Sequence, residues 1–315
     1  MKIIFGPVPS RRLGRSLGVD LTPRKTCNMD CVYCECGKTT NLSNKREKFY
    51  KLEEVLSELD DAVSNRGPID YITLSGSGEP ALYSELKELV TTIKKRYPGI
   101  KFAILTNTSL ITDPDVFDAF LEADVLLPSI DSVLNDGFQK VNRPHPDLDL
   151  SKILESLLDF RKVFKGQIWM EIFICPGLND SEKELNALSA YVKKLNPHRV
   201  QINTLDRPGA EPWVKPLDAD GFDRVLSFFK GINLETISRK LIKSMQPKTQ
   251  DDNDSDKLLI STLRRRPMTK KDIMALSGWT ESKAQSWIES SLDTGLLSST
   301  ESANGEKFFS LNIST

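Results

Sequence analysis

The chain has 315 residues, 39% hydrophobic and 28% charged, with a formal net charge of −1. That composition is ordinary for a soluble globular protein, and the near-neutral balance excludes a global basic field for nucleic acid, leaving only local patches. With no run of about 18 apolar residues and no apolar core in the N-terminal MKIIFGPVPS, a cytoplasmic protein without membrane spans or signal peptide is expected.

In chain order, the sequence predicts strands at 16–21, 71–75, 101–106, 125–130, 169–175 and 200–205, and helices at 52–64, 84–96, 115–122, 150–164 and 181–195. Each helical stretch carries apolar residues near i, i+3 and i+4 with a polar opposite face. Alternating strands and helices imply a parallel sheet with right-handed crossovers, either doubly wound or an open barrel. Six such units fall short of a complete barrel, which needs about 250 residues. The fold class expected is therefore α/β, a partial (β/α)6 TIM-like barrel over residues 1–243. The stretch SMQPKTQDDNDSD at 244–256 is polar, acidic and without hydrophobic periodicity, and reads as a linker.

Beyond it, 257–266, 269–276 and 281–293 read as three short helices, followed by Gly295-Leu296-Leu297, a polar turn and residues 307–311. Three helices and a terminal hairpin predict a small C-terminal winged-helix-like domain over 257–315. Arg264, Arg265, Arg266, Lys270 and Lys271 flank its first turn, but the helix placed to read a groove carries Lys283 against Glu281, Glu289 and Asp293. That charge is poor for DNA. A protein-contact or substrate-presenting role is at least as well supported, with Trp279 and Trp287 as core residues.

Four of the five cysteines fall between Cys27 and Cys36, while Cys175 stands alone. An odd number so clustered argues against a disulfide framework and for a metal or cluster site. Cys27, Cys31 and Cys34 have the spacing C-x3-C-x2-C, with Tyr33 just before the last. Four thiolates would saturate a [4Fe–4S] cluster; three leave one iron open to a bidentate amino acid, a role that suits the amino and carboxylate groups of S-adenosylmethionine (SAM). A zinc site with Cys36 as fourth ligand is the competing reading, although zinc ligands typically come as two separated pairs. Cys36 is otherwise a bystander and Cys175 a small buried filler.

This loop resembles that of the radical SAM superfamily, including the aromatic before the third cysteine. The resemblance implies metal ligation by Cys27, Cys31 and Cys34 and cofactor contacts at Tyr33, Gly78, Glu79, Pro80, Asn107, Ser129, Asp131 and Arg143. Gly78-Glu79-Pro80 is similar to the segment that holds SAM's amino group, with Glu79 accepting from the ammonium and the glycines letting backbone approach a ligand. The plain reading is a glycine turn with Glu79 starting a helix. Asn107 stands where relatives carry Thr-Asn-Gly, here Thr106-Asn107-Thr108. Ser129 and Asp131 would share one face by strand alternation and meet the ribose, or Asp131 caps a helix. Arg143 offers a fork for SAM's carboxylate or is a surface arginine in a turn. His145 is a substrate contact or a structural loop residue. Glu171, Gln201 and Asn203 alternate toward a polar interior that suits a polar substrate.

The head GPVPSRRLG at 6–14, the cysteine loop and segments 75–80, 142–146 and 203–208 together resemble a branch of poorly characterised radical SAM proteins grouped beside the wyosine-type tRNA synthases. The resemblance spans about residues 2–209. No cysteine precedes Cys27, so the second cluster of the wyosine enzymes is missing and wyosine synthesis itself is not expected. Arg11, Arg12 and Arg15 form a basic run for a phosphate or a set of salt bridges. The resemblance implies an enzyme that cleaves SAM to a 5′-deoxyadenosyl radical and takes hydrogen from RNA, a peptide or a small molecule, with a reductant such as flavodoxin or ferredoxin. The alternative is an iron–sulfur redox-sensing winged-helix transcription regulator.

Overall fold

In a computed structural model, the structure describes residues 3–10, 12–236, 252–302 and 305–312. The chain opens with a hairpin, β1 (Ile4–Ser10) and β2 (Gly14–Val19), and two short strands in the cysteine loop, β3 (Thr26–Cys27) and β4 (Asn41–Leu42). Strand and helix then alternate through α1 (Leu52–Asn65), β5 (Tyr71–Leu74), α2 (Leu86–Arg96), β6 (Lys101–Thr106), α3 (Pro114–Leu121) and β7 (Val125–Pro128). Two helices, α4 (Asn135–Asn142) and α5 (Leu150–Val163), precede β8 (Gln167–Phe173), and α6 (Glu182–Leu195), β9 (Arg199–Asn203), α7 (Ala219–Phe228) and β10 (Leu234–Thr236) follow.

These strands form one sheet in the order β1-β2-β5-β6-β7-β8-β9-β10, parallel from β2 onward, with β1 antiparallel at one edge. The mixed α/β fold with a largely parallel sheet is as expected. To the expected elements the structure adds β1, the short strands β3, β4 and β10, and the helices α4 and α7. Local chemistry fixes the helix starts. Asp113 accepts from Asp115 and Val116 N–H with Pro114 in the first turn, Asp149 accepts from Ser151 and Lys152, and Ser181 from Glu184.

One face of the sheet is covered by helices. Leu17, Ile72, Ile104, Leu126, Met170 and Ile202 bury against helix residues such as Leu59, Leu89, Phe120 and Leu157. Alternation sends their neighbours to the other face, where Tyr71, Ala103, Val125, Leu127 and Trp169 pack around Leu13 from the hairpin turn. Each fully buried aliphatic or aromatic side chain contributes about 1.5–3 kcal/mol.

The C-terminal part comprises α8 (Asp252–Leu263), β11 (Met268–Thr269), α9 (Lys270–Ser277), α10 (Glu281–Asp293), β12 (Leu297–Glu301) and β13 (Lys307–Leu311). Its strands pair antiparallel in the order β11-β13-β12, and Leu259, Ile273, Ile288 and Phe309 form a separate buried cluster, with Trp279 and Trp287 partly buried against it. Residues 244–251 of the expected linker lie outside the described residues, whereas 252–256 are not linker but the first turn of α8. Among the described residues no helix is long and apolar enough to cross a membrane.

Candidate functional site

The chain leaves β2 at the end of the parallel sheet and enters the cysteine loop through Lys25, which sits in a left-handed conformation (φ 59°). That turn buries Lys25 to 3% exposure and brings its ammonium within 3.2 Å of Cys34 Sγ. The other two sulfurs are served similarly. Asn107 Nδ2 lies 3.6 Å from Cys27 Sγ, and Asn142 Nδ2 lies 3.4 Å from Cys31 Sγ. So each of the three thiols faces a side-chain N–H donor, from the loop itself, from the end of β6 and from the end of α4, and the backbone N–H groups of Met29 and Cys36 add to those at Cys27 and Cys34.

Burial pushes the Cys27 thiol up to about 12, and raises that of Cys31 as well. Cys34 goes the other way, lowered to about 6 by its hydrogen-bonded neighbour Cys36 and by Lys25. Burial works against the charge on Lys25, but the Cys34, Cys36 and Cys27 sulfurs outweigh it and raise its pKa. This donor set fits a [4Fe–4S] cluster, whose thiolates are stabilised by hydrogen bonds and by positive charge. Among the described residues no three Cys, His, Asp or Glu side chains are placed to hold a single metal ion. Three cluster thiolates each bind a different iron and need not converge on one point.

Beyond β5 the segment from Ser75 to Pro80 turns back against the cysteine loop. A methyl group at Gly78 would stand 2.0 Å from the Thr26 carbonyl oxygen, and one at Gly76 would stand 2.1 Å from Asp20 Oδ1. These glycines therefore admit the chain's own backbone and Asp20, not a ligand as expected. Glu79 is 2% exposed; its Oε1 accepts from Ala81 N–H (3.0 Å) and Thr106 Oγ1 (2.7 Å), and its Oε2 from Asn107 N–H (2.7 Å). Burial raises its carboxyl to about 7 against those three bonds. It both caps the turn that starts at Pro80, as the plain reading had it, and ties that turn to β6.

Strand β7 ends at Pro128 and Ser129 extends its pairing by one parallel bridge to Glu171, so alternation places Ser129 but does not alone fix Asp131. Asp131 is instead fixed by three donors: Tyr33 Oη (2.6 Å), Asn142 Nδ2 (2.7 Å) and Phe173 N–H (2.8 Å). Burial lifts its carboxyl to about 6 in spite of them. Tyr33 stacks flat on Phe173, ring centroids 3.8 Å apart. A cavity of about 70 Å³ is lined by Cys31, Tyr33, Asn107, Ser129, Asp131 and Asn142 among others. One polar atom here lacks a partner: Asn142 Oδ1 is buried and accepts from nothing.

Gly78, Glu79, Pro80 and Arg143 do not line that cavity. Arg143, also left-handed (φ 44°), places Nη1 2.6 Å from Glu211. His145 Nδ1 accepts from Asp147 N–H, the structural option. The basic run resolves into salt bridges, Arg12 with Glu171 and Arg15 with Asp70, while Arg11 lies outside the described residues. Gln201 accepts from Arg12, and Asn203 donates to Glu171. Cys175 is buried among Val32, Val141 and Val214. Cys36 donates to the Arg265 carbonyl, 2.9 Å away. Sequence reasoning missed Lys25, Asn142 and Arg207. Their position beside or within segments already singled out was the only available signal.

Residues 21–188 match a family model described as the Radical SAM superfamily. The chain is 37% identical over 274 residues to a Helicobacter pylori protein named UPF0026 protein, covering 86% of this chain and 87% of the relative. It is 34% identical over 317 residues to a Brachyspira hyodysenteriae protein named GTPase Obg, covering 99% of this chain but only 45% of that protein's length. A radical SAM methyltransferase from Sphaerobacter thermophilus superposes with a TM-score of 0.53 at 16% identity, over 73% of this chain and 68% of that one, a likeness of fold.

Proposed function

This chain belongs to the radical SAM superfamily, and we propose that it is an enzyme holding a [4Fe–4S] cluster on Cys27, Cys31 and Cys34 beside SAM. When bound, the cluster supplies the electron that cleaves SAM into methionine and a 5′-deoxyadenosyl radical, which takes hydrogen from a substrate. The observation that carries this reading is that every one of the three sulfurs has a side-chain N–H donor set against it.

The remaining residues hold and orient. Lys25 offsets the negative charge of the thiolates, and Asn107 and Asn142 fix two sulfurs while reaching the cavity beside them. Ser129 offers a hydroxyl, and Asn142 Oδ1 an open acceptor, to donors on SAM. Glu79 keeps the turn from Gly78 to Pro80 against β6, so that its carbonyls and any remaining lone pair of Glu79 face the ammonium from a fixed position. For Arg143 to meet SAM's carboxylate, it must share its guanidinium with Glu211. The parallel sheet supports a partial TIM-like barrel at residues 1–243. The order of α8, β11, α9, α10, β12 and β13 supports a winged-helix-like domain after it. A flavodoxin or ferredoxin is the reductant in this reading.

The family favours this enzyme over an iron–sulfur regulator, and in this reading Cys36, hydrogen-bonded to Cys34 and to the Arg265 carbonyl, supports the ligand set rather than completing it. Anaerobic reconstitution with iron and sulfide, then dithionite and SAM, tests the proposal. 5′-Deoxyadenosine is expected, and its absence from a protein with an intact, SAM-binding cluster would refute the enzyme. Cys36→Ser should keep the cluster.

A further inference from the structure

Between the face of the sheet that carries no helices and helix α9 lies a second cavity, of about 300 Å³. Ser16, Thr73 and Leu105 line it from three adjacent strands, and Ala275 and Leu276 line it from α9, so neither part of the chain encloses it alone. Glu35 and Cys36, which follow Cys34 directly, form part of its wall. A ligand here would therefore lie next to the cysteine loop.

Two of the arginines in this wall are matched by neighbours. Arg12 pairs with Glu171, while Arg265 places Nε 2.9 Å from Asp20 and its guanidinium 4.1 Å from the Phe5 ring centre. Arg207 lies among the charges of Glu35, Asp272 and Asp206, but its contacts are longer. It is 4% exposed, yet its Nη1 is 3.4 Å from Glu35 and its Nη2 3.5 Å from Asp272. Both are long beside the roughly 2.7–2.9 Å of a charge-assisted hydrogen bond. Its Nε–H is buried without any acceptor. A guanidinium presents donors in a planar fork that matches a carboxylate or phosphate. The rest of the wall includes Phe5, Leu13, Leu105 and Leu276, which suit an apolar body.

We infer that this cavity binds a small molecule with an apolar body and one oxyanion, a carboxylate or a phosphate, seated on Arg207, and that it is the substrate chamber of the enzyme. The word substrate rests on the radical SAM reading above; the anion site does not. The volume lies at the lower end of the roughly 300–1,000 Å³ of small-molecule sites, which excludes enclosure of a polynucleotide. Because α9 forms one wall, the C-terminal part decides which molecules fit.

The test uses the full chain reconstituted with cluster and SAM, and titrates inorganic phosphate and benzoate separately by calorimetry. At least one probe should bind at one site per chain, and Arg207→Gln should weaken it by about tenfold or more. Phosphate alone would identify a phosphorylated ligand, and benzoate alone a carboxylate. Ala275→Trp, at an exposed position of α9, should narrow the cavity and weaken binding while leaving Arg207 intact, and it decides the matter should Arg207→Gln fail to fold. Failure of both probes to bind, binding indifferent to both substitutions, or displacement of the probe by a short single-stranded RNA of higher affinity would overturn the inference. 5′-Deoxyadenosine assayed in the same samples separates the two ideas. Its formation without anion binding refutes only the chamber, and anion binding at Arg207 without it refutes only the enzyme.

Discussion

On the helix-covered face of the main sheet, Leu17, Ile72, Ile104, Leu126 and Met170 are all apolar and buried. Across the same strands the opposite face changes character along its length. It starts with Tyr71, Ala103, Val125 and Trp169, passes through Thr73 and Glu171, and ends near Ser75, Asn107 and Ser129. One face is a uniform hydrophobic contact that secures the fold. The other is a gradient, closed by packing at the strand starts and opened to polar chemistry at the strand ends, where the cysteine loop lies. Stability and function are thus carried by alternate residues of the same strands.

The comparison breaks first at the cysteines. Cys31→Ala should abolish cluster iron and 5′-deoxyadenosine formation while leaving the unfolding midpoint in urea nearly unchanged; a chain that keeps its iron would show that the loop is not the ligand set. Next come two neighbours on opposite faces. Met170→Ala, which empties a fully buried site, should cost about 2–5 kcal/mol in urea unfolding and spare the cluster. Glu171→Gln should cost less, since its side chain retains 17% exposure, but should loosen Arg12. Equal costs would mean that the two faces are not divided as described.

A smaller effect is expected at Lys25. Lys25→Met removes the one charged donor to the sulfurs, so cluster reduction should require a more negative potential in an electron-resonance redox titration. An unchanged midpoint at full iron content would remove Lys25 from the site. The smallest is a pH slope. Glu79 is raised from 4.5 to about 7 by burial, so the folded chain keeps a proton that the unfolded chain has released between those values. Stability from this group is present below pH 4.5 and is lost as pH rises through about 7. Glu79→Gln should flatten that slope, and an unaltered slope would assign it to other groups.

Local pattern made much of this legible. The strand at 101–106 and the helix at 281–293 have the limits that periodicity predicts, and the cysteine spacing needs only eight residues to be read. What escaped depends on distant partners or on disguised elements. Strand β1 contains Pro7 and Pro9, residues that read as loop but are tolerated at a sheet edge. Helix α4 offers only Phe138 and Val141 as apolar anchors and has no side-chain cap. Asp131 lines one cavity with Ser129, as alternation expects, but the donors that fix it, from Tyr33, Asn142 and Phe173, are not local in sequence. Arg207 meets Glu35 across 172 residues of chain, a separation at which no motif operates.

The clasp between Cys36 and the Arg265 carbonyl, with Arg265 itself on Asp20, also sets an order of assembly. Both early partners, Cys36 and Asp20, flank the cysteine loop and are made 229 and 245 residues before Arg265. Until then nothing from the C-terminal part can cover that side of the loop. During synthesis the cysteines therefore stay open on that side until the wall formed by α9 closes over them, and the later segment acts as the seal.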